Sequence, residues 1–264
     1  MTGSGPARRG AAARSGRGGA RAAAGAGAPA ALAQRLRGYD WARIAAELDA
    51  WGCARLDGLL TPAECDALVA LYDDDARFRS RVVMARHGYG SGEYRYFRYP
   101  LPPLVARLRA TLYARLAPIA NRWSEALGER VRFPAAHADY LARCHAAGQK
   151  RPTPLLLRYQ AGDYNRLHQD LYGAEVFPLQ ATVLLSVPGH DFRGGELVFT
   201  EQRPRMQSRA DVVALGQGDA VVFAVRERPV RGARGIQRAV LRHGVSRLHA
   251  GRRHTLGVIF HDAS

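Results

Sequence analysis

Residues 158–170 read RYQAGDYNRLHQD and place a histidine and a carboxylate two positions apart. Side chains at positions i and i+2 of an extended strand point to the same face of a sheet. We therefore expect His168 and Asp170 to converge on one face, where they would offer a nitrogen and an oxygen to a metal ion. A His-x-Asp pair is common by chance, so its partners have to come from elsewhere in the chain.

The missing partners are expected near the C-terminus. His243 is followed ten residues later by Arg253, in a segment that continues to Phe260. Two histidines and one carboxylate on one face of a metal, with its other positions open, form the ligand set of non-haem Fe(II) sites. The sequence thus predicts an iron site made by His168, Asp170 and His243.

Composition limits the class of protein. The chain has 264 residues, of which 47% are hydrophobic, so a substantial core is expected. Its three cysteines form neither an even disulfide set nor a Cys-x2-Cys metal site, which favours a reducing compartment, the cytoplasm. Apolar runs stay well short of the roughly 18 residues that span a bilayer, and no signal peptide opens the chain. We expect a soluble protein with no membrane partner.

The charge of the chain is strongly basic, with a formal net charge of +16. Lys150 is the single lysine among 39 basic residues, which indicates a bias toward arginine throughout and weakens the case for a nucleic-acid partner without removing it. Residues 1–34 are mostly glycine, alanine and arginine, too poor in large apolar groups to offset the entropy of ordering. They are predicted to form a disordered basic arm, which we interpret as an electrostatic tether for nucleic acid.

Residues 35–152 are predicted to form a helical front part. A helix is expected to begin at Asp40 and to end at Gly52, and Thr61-Pro62-Ala63-Glu64 matches a capping box that opens another. Two further helices are predicted, over 103–127 and 134–147.

Residues 84–103 differ in composition from the helical segments around them, with glycines followed by closely spaced tyrosines and arginines. One interpretation is a surface loop and an edge strand whose aromatic side chains cover the core. The other is a substrate lid, in which the glycines permit movement while Tyr94, Tyr96 and Arg98 contact a polar substrate.

Residues 153–264 change to short apolar runs separated by turn signals, as in an all-β sandwich. Seven strands are predicted, at 155–159, 179–187, 196–200, 211–215, 220–224, 239–242 and 255–260. Because both ends of this region contribute to one site, the expected architecture is a jelly roll. The fold class is α+β, with helices packed on the sheet and 35–264 forming one structural domain.

The ordered set of motifs resembles a known superfamily. Tyr159-x-x-Gly162 and His168-x-Asp170 are followed by Gly194-Gly195-Glu196-Leu197, His243-x-Val245 and Gly251-x-Arg253. This order is similar to that of the Fe(II)- and 2-oxoglutarate-dependent dioxygenases. The whole chain resembles, more narrowly, a little-characterised bacterial family of such oxygenases that is associated with oxidative demethylation of damaged nucleic acid.

The resemblance implies a double-stranded β-helix of the cupin type and a role for each residue. His168, Asp170 and His243 would hold Fe(II), with 2-oxoglutarate and O2 as co-substrates and succinate and CO2 as products. Arg253 would bind the far carboxylate of 2-oxoglutarate, because a planar guanidinium matches a carboxylate with two parallel donors. Thr255 and Tyr159 are assigned supporting contacts to the same co-substrate.

Three functions remain open for the substrate. His168-Gln169-Asp170 is similar to the iron motif of alkylated-nucleobase demethylases, whereas the Gly194-Gly195-Glu196-Leu197 turn is similar to prolyl-hydroxylase-type enzymes that act on peptides or amino acids. Residues 226–238 read as an arginine-rich loop, either simply solvated or holding Arg231 and Arg234 as a clamp for an anionic substrate. The alternative from another class is a jelly-roll protein that binds an anionic partner without turnover.

Overall fold

The structure is a computed structural model that describes residues 27–233 and 235–264. In these residues it contains five α-helices, which we number α1 (Gly27–Gly38), α2 (Trp41–Trp51), α3 (Pro62–Ala70), α4 (Pro103–Ala126) and α5 (His137–Ala146). Three short 3-10 turns lie between α3 and the strand that begins at Gly90. No helix of this part of the chain is both long enough and apolar enough to cross a membrane.

Fourteen strands occur in the same residues. In chain order they are β1 (Cys53–Leu56), β2 (Phe78–Val83), β3 (Gly90–Ser91), β4 (Glu93–Phe97), β5 (Leu155–Gln160), β6 (Tyr164–His168), β7 (Leu179–Leu184), β8 (Phe192–Gly194), β9 (Leu197–Gln202), β10 (Arg209–Val213), β11 (Ala220–Ala224), β12 (Glu227–Gly232), β13 (Gly235–Val245) and β14 (Leu248–Val258).

The strands form two antiparallel sheets. The larger sheet has the order β1-β11-β7-β14-β5-β4-β2, with β8 paired to β14. The smaller has the order β10-β9-β13-β6-β3, with β12 paired to β13. Most neighbouring strands are not consecutive in sequence, as in a double-stranded β-helix, so the predicted jelly-roll core and the α+β class are confirmed.

Side-chain alternation explains why the larger sheet is covered on both faces. In β11, Val222 packs into the core shared with the helices, whereas Val221 and Phe223 belong to the core between the sheets. In β14, Leu256 faces the helices, while Thr255 lines a cavity on the opposite face. A period of two thus separates residues that hold the helices from residues available for a site.

Local signals positioned the helices as expected. The side chain of Asp40 accepts from the backbone of α2, and Gly52 ends that helix in the left-handed region at φ +79°. The capping box of Thr61 and Glu64 is present at α3. The predicted helices over 103–127 and 134–147 are observed as Pro103–Ala126 and His137–Ala146.

The predicted disordered arm is wrong for its last residues. Residues 27–34 lie in α1, where Leu32 is fully buried with Leu36. The Arg35 guanidinium bonds both the Leu59 carbonyl and the Glu64 carboxylate. Two leucines one turn apart therefore provide enough apolar surface to dock the helix, which a composition average conceals. Residues 1–26 of the arm lie outside the described residues.

Two segments read as loops are ordered strands. Residues 227–232 and 235–238 belong to the hairpin of β12 and β13 instead of a loop, because residues pair in register from Glu227 with Val240 to Gly232 with Gly235. In the second segment, β4 pairs with β2 on one side and β5 on the other. This part of 84–103 is an interior strand of the larger sheet, so it is neither an edge strand nor a movable lid.

Candidate metal centre and active site

Three ligating side chains meet between the two sheets. His168 ends β6, Asp170 follows it, and His243 lies opposite His168 in the register of β13. The nearest ligand atoms of the three residues lie within 4.8 Å of one another. Asp170 Oδ1 is 3.5 Å from His168 Nε2, and Asp170 Oδ2 is 3.3 Å from His243 Nε2. One carboxylate between two imidazoles is the donor set that a divalent iron ion prefers.

Asp170 reaches this position by a route that the sequence did not predict. It lies beyond the end of β6, so the expected i, i+2 alternation along one strand does not apply. Its carboxylate is held instead by tertiary contacts, since Tyr172 donates to Oδ1 at 2.8 Å and Gln180 Nε2 donates to Oδ2 at 2.9 Å. Two donors from outside the ligand set therefore orient the carboxylate, as outer contacts of metal ligands commonly do.

The tautomer of His168 is fixed by its neighbour. His168 Nδ1 lies 2.7 Å from the Arg166 carbonyl oxygen, and a carbonyl can only accept, so Nδ1 carries the proton. The lone pair of the neutral ring is then on Nε2, which faces Asp170. This is the arrangement that a histidine needs to bind a metal.

Electrostatics favour the same protonation states. Burial alone raises the pKa of the Asp170 carboxyl, but the hydrogen bond and charge of His243, together with His168, hold that pKa well below its usual range. Burial and the neighbouring His243 imidazole lower the pKa of His168. An anionic carboxylate beside a neutral imidazole is ready to receive a cation.

The ligands line a cavity of about 450 Å³, called here the main cavity. The residues predicted for the co-substrate are among its walls: Tyr159, Arg253 and Thr255. Arg253 and Thr255 are alternate residues of β14, as predicted, and both are buried. The structure thus brings the ligand triad and all three co-substrate candidates into one space.

The surroundings of Arg253 indicate whether the main cavity fits a dicarboxylate. Its side chain is 3% exposed, and its Nε and NH1 have no hydrogen-bond partner among the described residues. Burial lowers the pKa of this guanidinium, with the Tyr159 hydroxyl acting in the opposite direction. A buried charge without a partner is costly, and a carboxylate in the cavity would accept hydrogen bonds from this guanidinium. The residues present therefore fit 2-oxoglutarate beside Fe(II).

The residues predicted to contact the substrate lie in different parts of the structure. Tyr94 lines the main cavity. Tyr96 packs against the Tyr94 ring, and its hydroxyl lies 3.0 Å from that of Tyr172. Arg98 lies in a separate surface groove beside Tyr99, outside the main cavity, because it follows the end of β4.

The arginine clamp is not beside the metal site in the described part of the hairpin. Arg231 lines a groove against α2 and α4, so its assignment to the substrate is wrong in position. The β12-β13 pairing carries this end of the hairpin toward the helices, and the buried Arg228 bonds Glu201 and the Ala50 carbonyl at the end of α2. Arg234 lies outside the described residues.

Other residues of the site escaped the sequence reasoning. Gln180 is a buried amide in the mainly apolar strand β7, and its Nε2 lies 2.9 Å from Asp170 Oδ2 and 3.3 Å from His243 Nε2. A buried glutamine in such a run was the available signal, because a buried amide needs polar partners. Tyr89, Leu167 and Leu171 border the same cavity, but nothing in their local pattern sets them apart.

Comparison with known proteins places the chain among oxygenases. Residues 92–263 match the family Oxygenase-NA, described as "Oxygenase, catalysing oxidative methylation of damaged DNA". An uncharacterized protein of Mycobacterium tuberculosis strain CDC 1551 / Oshkosh is 49% identical over 168 residues, which are 64% of this chain and 72% of that protein. An uncharacterized protein of strain H37Rv gives the same values.

Two solved structures give the level of similarity outside the family. A prolyl-4-hydroxylase from Pseudomonas putida has a TM-score of 0.49 and 15% identity, covering 85% of this chain and 100% of its own. An oxidoreductase of the 2OG-Fe(II) oxygenase family from Burkholderia pseudomallei has a TM-score of 0.48 and 18% identity, covering 86% and 94%. The family match spans most of the jelly roll and the whole ligand triad, and the chain therefore belongs to the Oxygenase-NA family of oxygenases.

Proposed function

We propose that this Fe(II)- and 2-oxoglutarate-dependent dioxygenase removes methyl groups from alkylated bases of nucleic acid. The reaction class follows from family membership, whereas the substrate rests on the mouth of the main cavity. The observation that carries it is an exposed apolar and aromatic rim, joined to arginines without acidic partners, around the ligand triad.

The rim exposes large side chains that a folded protein usually covers. Tyr89, Leu167 and Leu171 are 50%, 45% and 42% exposed, and all three border the main cavity. The Tyr89 ring also stacks on His87, with centroids 5.3 Å apart and an interplanar angle of 22°. Flat aromatic groups beside aliphatic ones suit a base that has left its stack, because stacking requires no particular base edge.

The charges at the rim suit a phosphate backbone. Arg166 is exposed at the cavity mouth, and Arg86 is exposed in the turn before Tyr89. Neither forms an ion pair with the described residues, and Asp170 is the only carboxylate among the residues that line this cavity. Free arginines around a mouth that is nearly free of acids attract an anionic polymer and would position it.

The chain's own residues prepare the reaction. Arg253, with Thr255 and Tyr159, would hold the far carboxylate of 2-oxoglutarate, while Gln180 and Tyr172 keep Asp170 aimed at the ligand position. Fe(II) bound by the triad would supply the activation of O2, which oxidises 2-oxoglutarate and the substrate carbon. Hydroxylation of an N-methyl group gives an unstable hydroxymethyl, which leaves as formaldehyde and returns the proton to the base nitrogen.

The prolyl-type turn gives no support to a peptide at this mouth. Gly194, Gly195 and Glu196 lie in a different cleft from the main cavity. The resemblance of that segment therefore concerns the surroundings of Arg253 and carries no information about the substrate that enters the main cavity.

A substrate screen tests the proposal. Iron-loaded protein is incubated with 2-oxoglutarate and with oligonucleotides carrying N-methylated bases, unmodified oligonucleotides or proline-containing peptides, while succinate and substrate mass are measured. We expect succinate and a loss of 14 Da, the mass of CH2, only with the methylated oligonucleotides. A gain of one oxygen on a peptide, with no change in the oligonucleotides, would contradict it.

Substitution of the rim sharpens this screen. Tyr89→Ala removes the exposed ring and should raise KM for the methylated oligonucleotide by about tenfold, because base stacking contributes about 1 to 3 kcal/mol. Ile236→Ala is the matched control, since Ile236 is 48% exposed but lies on the hairpin against the helices. Equal KM values for the two variants would remove Tyr89 from the substrate site.

A further inference from the structure

Arg253 lies between two cavities. Besides the main cavity, it lines a second space of about 310 Å³, called here the outer cleft. The two spaces share Arg253 and Leu197, which are 3% and 4% exposed. These two side chains are therefore part of the wall that separates the iron site from the outer cleft.

The guanidinium has similar surroundings on its two sides. Its central carbon is 5.7 Å from the centroid of Tyr159, a wall of the main cavity, and 5.8 Å from that of Phe192, a wall of the outer cleft. Both rings offer a cation–π contact of similar geometry. With Nε and NH1 unpartnered among the described residues, no hydrogen bond or ion pair from those groups holds the side chain toward either cavity.

The wall beside Arg253 is thin. Gly195 adopts φ +68°, and a Cβ at this position would lie 3.2 Å from Arg253 Cδ and 2.4 Å from Leu248 Cδ1. Only a glycine fits where the backbone approaches the arginine so closely. On the side of the outer cleft, the backbone of the β8-β9 turn therefore lies directly against Arg253, with no side chain of residue 195 between them.

The outer cleft opens to solvent and has a cation at its edge. Gly189, Arg193 and Ala214 are exposed residues of its lining. Arg193 forms no ion pair with the described residues, whereas the nearby Glu196 accepts a hydrogen bond from Ser246. An anion that enters the cleft would pass a free arginine before it reaches Arg253.

We propose that the outer cleft is a second entrance for dicarboxylates, through which 2-oxoglutarate enters and succinate leaves. Arg253 would carry the carboxylate from one cavity to the other by turning from Phe192 toward Tyr159, so that the ion pair persists during transfer. The proposal rests on the proposed function in one respect, since a nucleic acid on the rim would cover the main mouth. A separate entrance lets the small co-substrate exchange while the large substrate stays bound.

The test closes each entrance separately. Ala214→Trp narrows the outer cleft, and Val212→Trp is its matched control, because Val212 is 57% exposed and shares a neighbouring groove with Ala214 but does not line the outer cleft. The main mouth is closed in Tyr89→Cys by labelling with pyrene maleimide. The three native cysteines are buried, so the new thiol is the accessible one in the described structure.

Association and dissociation of 2-oxoglutarate with the anaerobic Fe(II) protein are followed by stopped flow, through the visible band of the chelate. In the mouth-labelled protein, Ala214→Trp should slow both rates by about tenfold or more and leave Kd unchanged, because closing a path alters rates and not the equilibrium. Val212→Trp should leave both rates at the level of the labelled parent. These outcomes do not depend on which substrate the enzyme oxidises, so failure of the nucleic-acid assignment leaves them intact.

Two results would overturn the second entrance. One is a labelled Tyr89→Cys protein that no longer takes up 2-oxoglutarate even with residue 214 unchanged, which would make the main mouth the sole path. The other is identical rates for Ala214→Trp and Val212→Trp. Unlabelled Tyr89→Cys is the reference for the labelled protein, so that any effect of the substitution itself cancels in the comparison.

Discussion

Two polar clusters of the molecule have opposite hydrogen-bond balances. The first, called the ligand cluster, consists of His168, Asp170, Gln180, His243 and Arg253. The second, called the anchor cluster, consists of Tyr99, Arg109, His145, Thr153 and Asp262. In the ligand cluster, His243 Nδ1, Gln180 Oε1 and two Arg253 nitrogens lack partners among the described residues.

The anchor cluster satisfies its charges internally. Arg109 donates to the carbonyls of Ile259 and His261 and to Asp262 Oδ1 at 2.7 Å. Asp262 also receives hydrogen bonds from Tyr99 and His145. Both charged side chains are at most 1% exposed. A closed network fixes the chain end, whereas free buried donors and acceptors mark a place built for a ligand.

The largest difference is expected when each cluster loses its carboxylate charge. Asp170→Asn should reduce succinate formation to background and weaken Fe(II) binding by at least about 100-fold, because an amide is a poor metal ligand. Its unfolding free energy should fall by less than it does for the same change at Asp262, because the partners of Asp170 are imidazoles and an amide, whereas Asp262 is paired with the guanidinium of Arg109. Gln180 can turn its amide so that the free Oε1 accepts from the new Asn group. Anaerobic Fe(II) titration and urea unfolding measure the two quantities.

Asp73→Asn is the matched control for this substitution, since Asp73 is 83% exposed in its side chain. It should leave Fe(II) affinity, turnover and stability unchanged. Iron binding by Asp170→Asn at the wild-type affinity would show that Asp170 is not a ligand.

The metal and co-substrate residues of the ligand cluster were easier to predict from sequence than the residues that support them. His168, Asp170, His243 and Arg253 stand at fixed spacings that the chemistry of one metal and one carboxylate requires, and the structure brings them together. Gln180 and Tyr172 reach Asp170 from segments whose approach depends on the sheet pairing, so spacing alone does not reveal them.

Arginines away from the ligand motifs were assigned less well. In a chain with this many arginines, the sequence does not show which of them are paired with a carboxylate in the folded protein. Arg228, in the segment read as a solvated loop, is buried on Glu201, whereas Arg166 is free at the mouth. The hairpin of β12 and β13 was missed because Pro229 and Gly232 are turn signals that the ladder tolerates at its end.

The anchor cluster should respond to loss of charge through stability alone. Asp262→Asn leaves Arg109 buried beside a neutral group, and removing one partner of a buried pair costs about 3 to 5 kcal/mol. Fe(II) affinity of the fraction that folds should match the wild type. Urea unfolding and anaerobic titration at low temperature would measure both effects.

A milder variant keeps that prediction testable where Asp262→Asn does not fold. Tyr99→Phe removes a single donor to Asp262 and should cost about 1 kcal/mol. Stability equal to the wild type in both variants would show that the anchor cluster does not hold the chain end.

A pH-dependent effect is expected from a buried histidine next to the anchor cluster. His137 Nε2 donates to the Phe260 carbonyl at 2.8 Å, and burial, with Arg109 adding to it, lowers the pKa of His137 to about 4. The unfolded chain, with a pKa of about 6.5, binds the proton first as the pH falls. The stability contributed by neutral His137 is therefore complete above about pH 6.5 and is lost as the pH drops toward 4.

His137→Gln isolates this contribution, because glutamine keeps an N–H donor for Phe260 but does not titrate. Between pH 7 and pH 5 the wild type should lose about 2 kcal/mol more unfolding free energy than the variant. His249→Gln is the control, since His249 is exposed and forms no ion pair with the described residues, and this variant should lose as much unfolding free energy as the wild type. Urea unfolding at both pH values measures these losses. Equal losses in the wild type and His137→Gln would show that the folded protein does not favour neutral over protonated His137.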